Sequence, residues 1–393
     1  MFLLFILLSS PLFTETFRFE YRDGEKYRTV TTVDENVYIN GAFSHNAEIL
    51  NKVAVEITQT KEDSGLLQAS FQISERSSGS TGVYSWSQGY DSIFWRDQYG
   101  VYDIEPRFYM PVVRSVPTFP QRDVKEGETW SAPGQEVHDF RSNFKIEEPF
   151  AFPIHVTYKY VGKQEVDGID LDVISIKYSV YHRTKQQYSI SGMYPVRLSG
   201  YSEQTLYWDN LIGRPHSYEE QFEFVFDMSN GTSVTYIGTA EGEVIESPKM
   251  DRAQMERDIK KRLEDEGVTD TDVRSDEKGV TISLENIQFL PDSAVLRESE
   301  KEKLRKIAGI LETYSNRDVL ITGHTALAGT ARGRQTLSEQ RAKAVGDYLL
   351  ALGAKEADEI ITRGMAAREP IADNSTPEGM RKNRRVEITI LEN

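Results

Sequence analysis

Residues 321–353 read ITGHTALAGTARGRQTLSEQRAKAVGDYLLALG. Residues 318–323, which overlap the start of this stretch, centre on a short apolar run rich in β-branched residues, which predicts a buried strand. Gly323 and Gly329 mark the loop that follows. Apolar residues then recur close to every 3.6 positions, which predicts an amphipathic helix over 337–352 that ends at Gly353. These apolar residues are Leu337, Ala342, Val345, Leu349 and Leu352.

Strands and helices alternate on both sides of this stretch. The apolar patterns predict strands and helices in the order β-α-β-α-β, which is typical of an α+β domain with a mixed sheet and helices on one face. The predicted segments are strand 280–289, helix 299–314, strand 318–323, helix 337–352, strand 360–364, a short helix near 377–382 and strand 385–391.

A series of short motifs occurs in order within 280–391. They are Gly323-His324-Thr325, Gly329, Leu337-Ser338-Glu339-Gln340-Arg341-Ala342, Gly364, Pro370 and Asn383-Arg384-Arg385-Val386-Glu387-Ile388. In this order and spacing the region resembles the OmpA-like peptidoglycan-binding domain. The resemblance implies an α+β fold, a location in the cell envelope and peptidoglycan as a partner.

Two positions depart from the family pattern. Ala326 stands where the family has Asp, and Arg334 stands where it has Asn. In the family the ligand is the zwitterionic end of diaminopimelate in the peptidoglycan stem peptide. The Asp takes its ammonium and the helix Arg takes its carboxylate in a charge-assisted pair. The resemblance therefore implies that Arg341 can still bind a carboxylate, while binding of diaminopimelate is weakened or lost.

Six residues make up the degenerate ligand site that the resemblance implies: Thr325, Ala326, Arg334, Arg341, Asn383 and Arg384. Arg341 is either a carboxylate ligand or a solvated helix residue, as most arginines are. Arg334 is either a solvated loop residue or a new anion contact. Thr325, Asn383 and Arg384 are expected to be structural first, closing or bracing the ligand loop.

The region before this domain alternates with period two almost throughout, which predicts antiparallel strands. Asp167-Gly168 and Asn230-Gly231 are hairpin dipeptides. The fold expected is thus multidomain, an all-β antiparallel domain followed by an OmpA-like domain. The expected parts are a signal peptide over 1–16, a β domain over 17–247 with a division near 120–150 left open, a helix and polar linker over 248–279, and the OmpA-like domain over 280–393. We expect a fragment that begins near residue 270 to fold alone.

Aromatic residues cluster in the β domain, and three interpretations stay open. They are a core with some amphipathic surface rings, a cleft for an apolar or glycan ligand, and the interfacial girdle of an outer-membrane β-barrel. The residues concerned are Tyr84, Trp86, Phe94, Trp95, Tyr99, Tyr102, Phe108 and Tyr109.

Charge and composition restrict the partners. The formal net charge is −16, and 25 Lys and Arg against 28 Asp and Glu from Glu246 onward leave −13 for the N-terminal part. Such an acidic chain does not favour nucleic acid as a partner. No cysteine is present, which excludes disulfides and a lipid-modified N-terminal cysteine. Residues 2–13 form an apolar run of signal-peptide length without a basic start, so export to a periplasmic or outer-membrane-associated location is expected.

The residue patterns indicate no enzyme, no metal and no cofactor. The six histidines never approach HExxH or another ligand spacing, and no GxSxG motif occurs. The function expected is a non-enzymatic cell-envelope protein with its OmpA-like domain at or near peptidoglycan. Its β domain would bind an unknown envelope protein or an apolar or glycan ligand. The alternatives are an interaction module without wall binding and an outer-membrane barrel with a periplasmic OmpA-like domain.

Overall fold

The computed structural model describes residues 14–392 apart from 78–80, 185–192, 247–248, 286, 288 and 290–292. The described residues form two compact units. Unit 1 extends to Phe71 and then from Gly89 to Glu246, and unit 2 comprises Gln72–Gln88 and the described residues after Glu246. The apolar run of the expected signal peptide, residues 2–13, lies outside the described residues.

Unit 1 is built from antiparallel strands and one short helix. The elements up to residue 246 are β1 (Thr14–Glu15), β2 (Lys26–Ile39), β3 (Ala42–Lys61), β4 (Ser64–Ser77), β5 (Tyr84–Asp97), β6 (Tyr102–Ile104), β7 (Val113–Arg114), β8 (Val124–Lys125), β9 (Thr129–His138), α1 (Arg141–Phe144), β10 (Phe150–Val166), β11 (Ile169–Arg183), β12 (Pro195–Asp209), β13 (Arg214–Met228) and β14 (Ser233–Glu246). The C-terminal end of β4 and the N-terminal end of β5 belong to unit 2.

The strands of unit 1 pair in the order β7–β9–β10–β11–β12–β13–β14–β2–β3, and every pair is antiparallel. The predicted antiparallel β fold is confirmed. Strand β2 pairs with β14 along most of both strands. Strands from before and after residues 120–150 therefore share one sheet. Asp167 and Gly168 form the turn between β10 and β11 with positive φ angles of 52° and 82°, as a tight hairpin turn requires.

Alternate residues of these strands fill the main core of unit 1. From Phe150 to Gly162 of β10 the even-numbered residues are buried and the odd-numbered ones are exposed, so one face of the strand points inward. The N-terminal segment packs into the same core, where Phe17 and Phe19 are buried and the ring centroid of Phe19 lies 4.9 Å from that of Trp208. Strand β1 pairs with β8. The described fold thus begins at Thr14, three residues before the expected start of the β domain.

Unit 2 contains the strands and helices of the predicted α+β domain. They are α2 (Arg252–Asp265), β15 (Thr271–Asp276), β16 (Gly279–Glu285), α3 (Glu298–Leu311), β17 (Val319–His324), α4 (Ala331–Ala351), β18 (Ile360–Ala366), α5 (Pro377–Asn383) and β19 (Arg385–Leu391), with 3-10 turns at Glu312–Tyr314 and Ala357–Glu359.

The sheet of unit 2 runs β15–β16–β19–β17–β18, and only β17 and β18 are parallel to each other within this order. Tyr84 and Ser85 add a further parallel pairing to Ile361 and Thr362 at the outer edge of β18. Apolar residues of the sheet and of α2, α3 and α4 form one core cluster, which also includes Val83. The predicted mixed sheet and its helices are confirmed.

The segment between the two predicted domains differs from the sequence expectation. The predicted helix is present as α2, but the polar residues that follow it form β15, which pairs with β16. Val273 is the single buried residue of β15 and joins the core with Ile259 and Leu263 of α2. A strand with one buried apolar residue carries almost no periodic pattern, so it resembles a linker in the sequence. Among the described helices, none combines the length and the apolar character needed to span a membrane.

Candidate functional site

The candidate site lies where β17 ends and α4 begins. Strand β17 and helix α4 approach closely there, because a Cβ atom on Gly323 would lie only 2.1 Å from the carbonyl oxygen of Ser338. Only glycine fits this position without displacing the helix. The chain then passes through Thr325 and Ala326 into an exposed loop before the first turn of α4.

Thr325 and Ala326 are both buried. The Thr325 amide donates a hydrogen bond to the Ala366 carbonyl oxygen at 2.8 Å, which ties the loop to the end of β18. Ala326 is 4% exposed and offers a methyl group where the family pattern has a carboxylate. Its side chain can neither accept a hydrogen bond from an ammonium group nor balance the charge of one.

Helix α4 begins six residues before its predicted start, at Ala331 rather than Leu337. The reason is a cap, since the Thr330 hydroxyl accepts a hydrogen bond from the Gly333 amide at 3.1 Å. Four of the six extra residues are polar and none of the six is buried, so they carry no apolar repeat that would predict a helix. As a result Arg334 lies in the first turn of the helix, and Arg341 lies in its third turn rather than near its start.

The two arginines of α4 have different surroundings. Arg334 turns back toward the loop, and its Nη1 donates a hydrogen bond to the Gly329 carbonyl oxygen at 2.6 Å. Arg341 is half-buried, and its guanidinium carbon lies 4.9 Å from the centre of the Phe289 ring. A guanidinium at this distance from a ring is attracted to the face of the ring.

Asn383 holds a second loop against the first. It is 1% exposed, and its amide oxygen accepts hydrogen bonds from the amides of Ile371 and Ala372. Its amide nitrogen donates to the Ala372 carbonyl oxygen and to Asn374 Oδ1. Asn374 Oδ1 in turn accepts from the Leu327 amide at 2.9 Å. The structure thus connects Asn383 to the loop that carries Thr325 and Ala326.

Arg384 does not join this network. Its side chain is exposed, and the structure gives it no hydrogen bond or ion pair with any described residue. Its backbone amide closes the end of α5 by donating to the carbonyl oxygens of Met380 and Arg381. Of the two residues expected to brace the ligand loop, only Asn383 is connected to it by side-chain hydrogen bonds, and that connection passes through Asn374.

Several residues that support the site are not among the six expected site residues. Ser338 accepts a hydrogen bond from the Ala366 amide at 3.0 Å, and Gln335 donates one to the Gly364 carbonyl oxygen at 2.9 Å. Phe289 lies under Arg341, and Asn374 joins the two loops. Asn374 stands in an Asp-Asn-Ser turn, which marks a loop but gives no indication of a partner 47 residues away.

A buried charge network lies beside the site on β19. The Glu387 carboxylate contacts Arg385 and Arg274 at 2.8 Å each and His324 at 3.6 Å. Burial favours the protonated form of Glu387, but the contacts of His324 and Arg274 and the charge of Arg385 outweigh it and hold its pKa well below the ordinary value. The network thus includes His324, the last residue of β17, which leads into the loop.

We expect Glu387→Gln to destabilise unit 2 at neutral pH and to have less effect in acid. Because the pKa of Glu387 is depressed in the folded state, its stabilisation is fully present above the unfolded value of about 4.3 and is lost as the pH falls through the folded value. Urea unfolding between pH 3 and 7 measures the difference in the free energy of unfolding between the unmodified chain and Glu387→Gln. A difference that grows as the pH falls would contradict the expectation. Glu378→Gln, at an exposed position, is the control.

We expect Asn383→Ala to destabilise unit 2 by about 2–4 kcal/mol, since it removes a buried side chain that makes four hydrogen bonds, each of which contributes about 0.5–1.5 kcal/mol. Arg384→Ala should change the free energy of unfolding by less than about 0.5 kcal/mol, as is usual for an exposed residue without contacts. Urea unfolding of both variants tests the pair. Equal effects would show that Asn383 does not brace the loop.

The described residues contain no group of three or more His, Cys, Asp or Glu side chains placed to hold a metal ion. Asp373, an acidic residue of the second loop, accepts hydrogen bonds from the amide and the hydroxyl of Ser375 within its own turn. The site therefore presents two guanidinium groups and no carboxylate at position 326. Such an arrangement suits an anion, above all a carboxylate.

Comparisons with known proteins agree with the geometry. Residues 288–384 match the model of the OmpA family. The chain is similar to the peptidoglycan-binding protein ArfA of Mycobacterium tuberculosis, with 43% identity over 104 residues, which are 26% of this chain and 32% of that protein. It is also similar to the probable lipoprotein YiaD of Escherichia coli, with 34% identity over 135 residues, which are 34% of this chain and 60% of YiaD.

Among solved structures, the cell wall anchor of the T6SS from Pseudomonas aeruginosa is similar at 29% identity, with a TM-score of 0.30. This match covers 34% of this chain and 96% of that one. The chain spans 32% of the length of ArfA and 60% of the length of YiaD. Residues 288–384 thus form a domain of the OmpA family.

Proposed function

We propose that this chain is a non-enzymatic protein of the cell envelope, exported to the periplasm or the outer membrane. Its OmpA-family domain lies at or near the peptidoglycan. The names of its relatives support this assignment, since one is called a peptidoglycan-binding protein and another a lipoprotein. The β domain of unit 1 contacts another envelope component.

The observation that carries the proposal is the asymmetry of the site. The guanidinium carbon of Arg341 lies 4.9 Å from the centre of the Phe289 ring, whereas position 326 offers only a buried methyl group. Arg334 adds a second positive charge to the same loop region. Arg341 therefore holds a stem-peptide carboxylate, and recognition of the diaminopimelate ammonium is weakened or lost.

A second candidate function follows from the same methyl group. If the loss of the carboxylate abolishes recognition of the wall, the OmpA-family domain serves as an interaction module for another envelope protein. The two candidates differ in the role of Arg341, which is a ligand residue only in the first.

Binding of soluble peptidoglycan fragments to the full chain distinguishes them. We expect measurable but weak binding by isothermal titration calorimetry, and at least about a tenfold loss in Arg341→Ala. Lys343→Ala is a matched control, because Lys343 lies on the same helix and pairs with Asp347 instead. Binding that is undetectable, or equal in the two variants, would favour the interaction module.

A further inference from the structure

One end of unit 1 presents apolar side chains at a hairpin turn. The turn joins β12 to β13, and its residue Leu211 is 87% exposed, more than any other large apolar residue that the structure describes. Ile212, the next residue of the turn, is 36% exposed. Single exposed apolar residues are common on protein surfaces, so Leu211 alone would indicate no partner.

Hydrogen bonds hold this turn in an ordered conformation. Asp209 Oδ1 accepts hydrogen bonds from the Leu211 amide at 2.9 Å and from the Ile212 amide at 3.4 Å. The Gly213 amide donates to the Asp209 carbonyl oxygen at 3.0 Å, and the Gly213 carbonyl oxygen accepts from the Glu20 amide at 3.1 Å. The exposure of the two apolar side chains is therefore a feature of the fold.

The neighbouring hairpin adds a third apolar side chain at the same end of the sheet. Strands β11 and β12 are antiparallel, and Asp172 lies directly opposite Trp208. The first residues of β11 therefore lie beside the turn that follows β12. Ile169 is the first residue of β11 and is 39% exposed. We call Ile169, Leu211 and Ile212 the apolar tip.

The described part of the chain also begins at this end of unit 1. Glu15 of β1 accepts a hydrogen bond from Asn210 Nδ2 at 3.4 Å, and its other carboxylate oxygen lies 3.1 Å from Lys163 Nζ. Asn210 directly precedes Leu211, so β1 lies next to the apolar tip. Residues 2–13, which come directly before β1, form the largely apolar run FLLFILLSSPLF. This run therefore joins the fold beside the apolar tip.

The contacts of β1 favour a chain that keeps its N-terminal segment. Thr14 and Glu15 pair with β8, and Thr16 Oγ1 donates a hydrogen bond to Asp123 Oδ1 at 2.6 Å. Removal of residues 1–16 as a cleaved signal peptide would delete this strand together with the Glu15 contacts. An apolar segment that is retained can act as a membrane anchor, and the part of the fold next to it then lies at the membrane surface.

We propose that residues 2–13 are retained and that the apolar tip lies beside them in the interface of a lipid bilayer. The run supplies most of the apolar surface that leaves water, and the three side chains of the tip add to it because they emerge at the same place. The bilayer then determines which end of unit 1 faces the membrane. This surface belongs to unit 1, and its role does not depend on binding of peptidoglycan by the OmpA-family domain.

A fluorescent label at the apolar tip tests the proposal, because the chain has no cysteine and a single introduced cysteine is labelled alone. Leu211→Cys in the full chain carries an environment-sensitive dye, and phosphatidylcholine vesicles are added. We expect the dye emission to shift to the blue and to be quenched by lipids with a nitroxide on the acyl chain. The matched control is Phe43→Cys, since Phe43 is 59% exposed beside the turn between β2 and β3. Ile39 before that turn pairs with Val234 near the start of β14, which places Phe43 at the opposite end of the sheet.

Changes in the N-terminal run complete the test. Leu4→Asp together with Leu7→Asp in the labelled full chain should weaken binding to the vesicles at least about tenfold. Undiminished binding would overturn the proposal, as would an unchanged emission of the label at Leu211→Cys or equal shifts at Leu211→Cys and Phe43→Cys. Blue emission at Leu211→Cys that is present without vesicles and unaltered by them would show that residues 2–13 cover the tip instead, which would overturn it as well.

Discussion

Replacing Ala326 with Asp and Arg334 with Asn should make the OmpA-family domain bind free diaminopimelate at least ten times more tightly than the unmodified chain does. A charge-assisted hydrogen bond to the ammonium contributes roughly 1.5–3 kcal/mol, which corresponds to on the order of ten- to a hundredfold in affinity. Removing Arg334 also removes a positive charge that repels the ammonium. Isothermal titration calorimetry with meso-diaminopimelate measures the difference.

The environment of position 326 adds a second expected result. Ala326 is 4% exposed, so an introduced carboxylate will be poorly hydrated when no ligand is present. The double variant should therefore be less stable than the unmodified chain, and diaminopimelate should restore much of the loss. Arg341→Ala in the double variant should abolish binding, and Lys343→Ala should not. Tight binding by the unmodified chain that survives loss of Arg341 would place the site elsewhere.

A fragment of residues 270–392 should be far less stable than one of residues 249–392. The shorter fragment lacks four buried core residues, Met250, Ile259, Leu263 and Val268. Burial of each such side chain contributes about 1.5–3 kcal/mol, and their sum is comparable with the total stability of a domain, about 5–15 kcal/mol. The sequence-based expectation that a fragment from residue 270 folds alone overlooked this contribution, because the core role of α2 depends on packing.

Urea unfolding followed by circular dichroism compares the two fragments. Arg257→Ala in the longer fragment is the control for a change on the exposed face of α2. Equal unfolding midpoints for the two fragments would show that α2 is not part of the folded unit. Both fragments lack residues 72–88, so their difference reports on residues 249–269 alone.

The sequence predicted local elements well because the signals for them are local. The apolar periods of α3, α4 and the strands of unit 2 appear within windows of about ten residues, and the Asp167-Gly168 turn is a dipeptide preference. The early start of α4 was missed even though its cap, Thr330, stands in the sequence. A cap is a single-residue signal, and the polar turn after it has no periodic pattern to confirm it.

Contacts between distant segments could not be predicted in this way. Tyr84 pairs with Ile361 at the edge of the unit 2 sheet, and nothing in either local sequence indicates the other. Asn374 and Leu327 meet only after both loops fold. In the candidate site, the family resemblance indicated which residues to consider. Only the structure shows that Asn383 is buried and hydrogen-bonded whereas Arg384 is exposed.

Sedimentation with purified peptidoglycan of the diaminopimelate type tests most directly whether wall recognition is altered in this chain. We expect little of the unmodified full chain to sediment, and most of the Ala326→Asp, Arg334→Asn variant to do so. Adding Arg341→Ala to that variant should return it to the supernatant. Sedimentation of the unmodified chain as complete as that of the double variant, and unchanged by loss of Arg341, would contradict this account of the site.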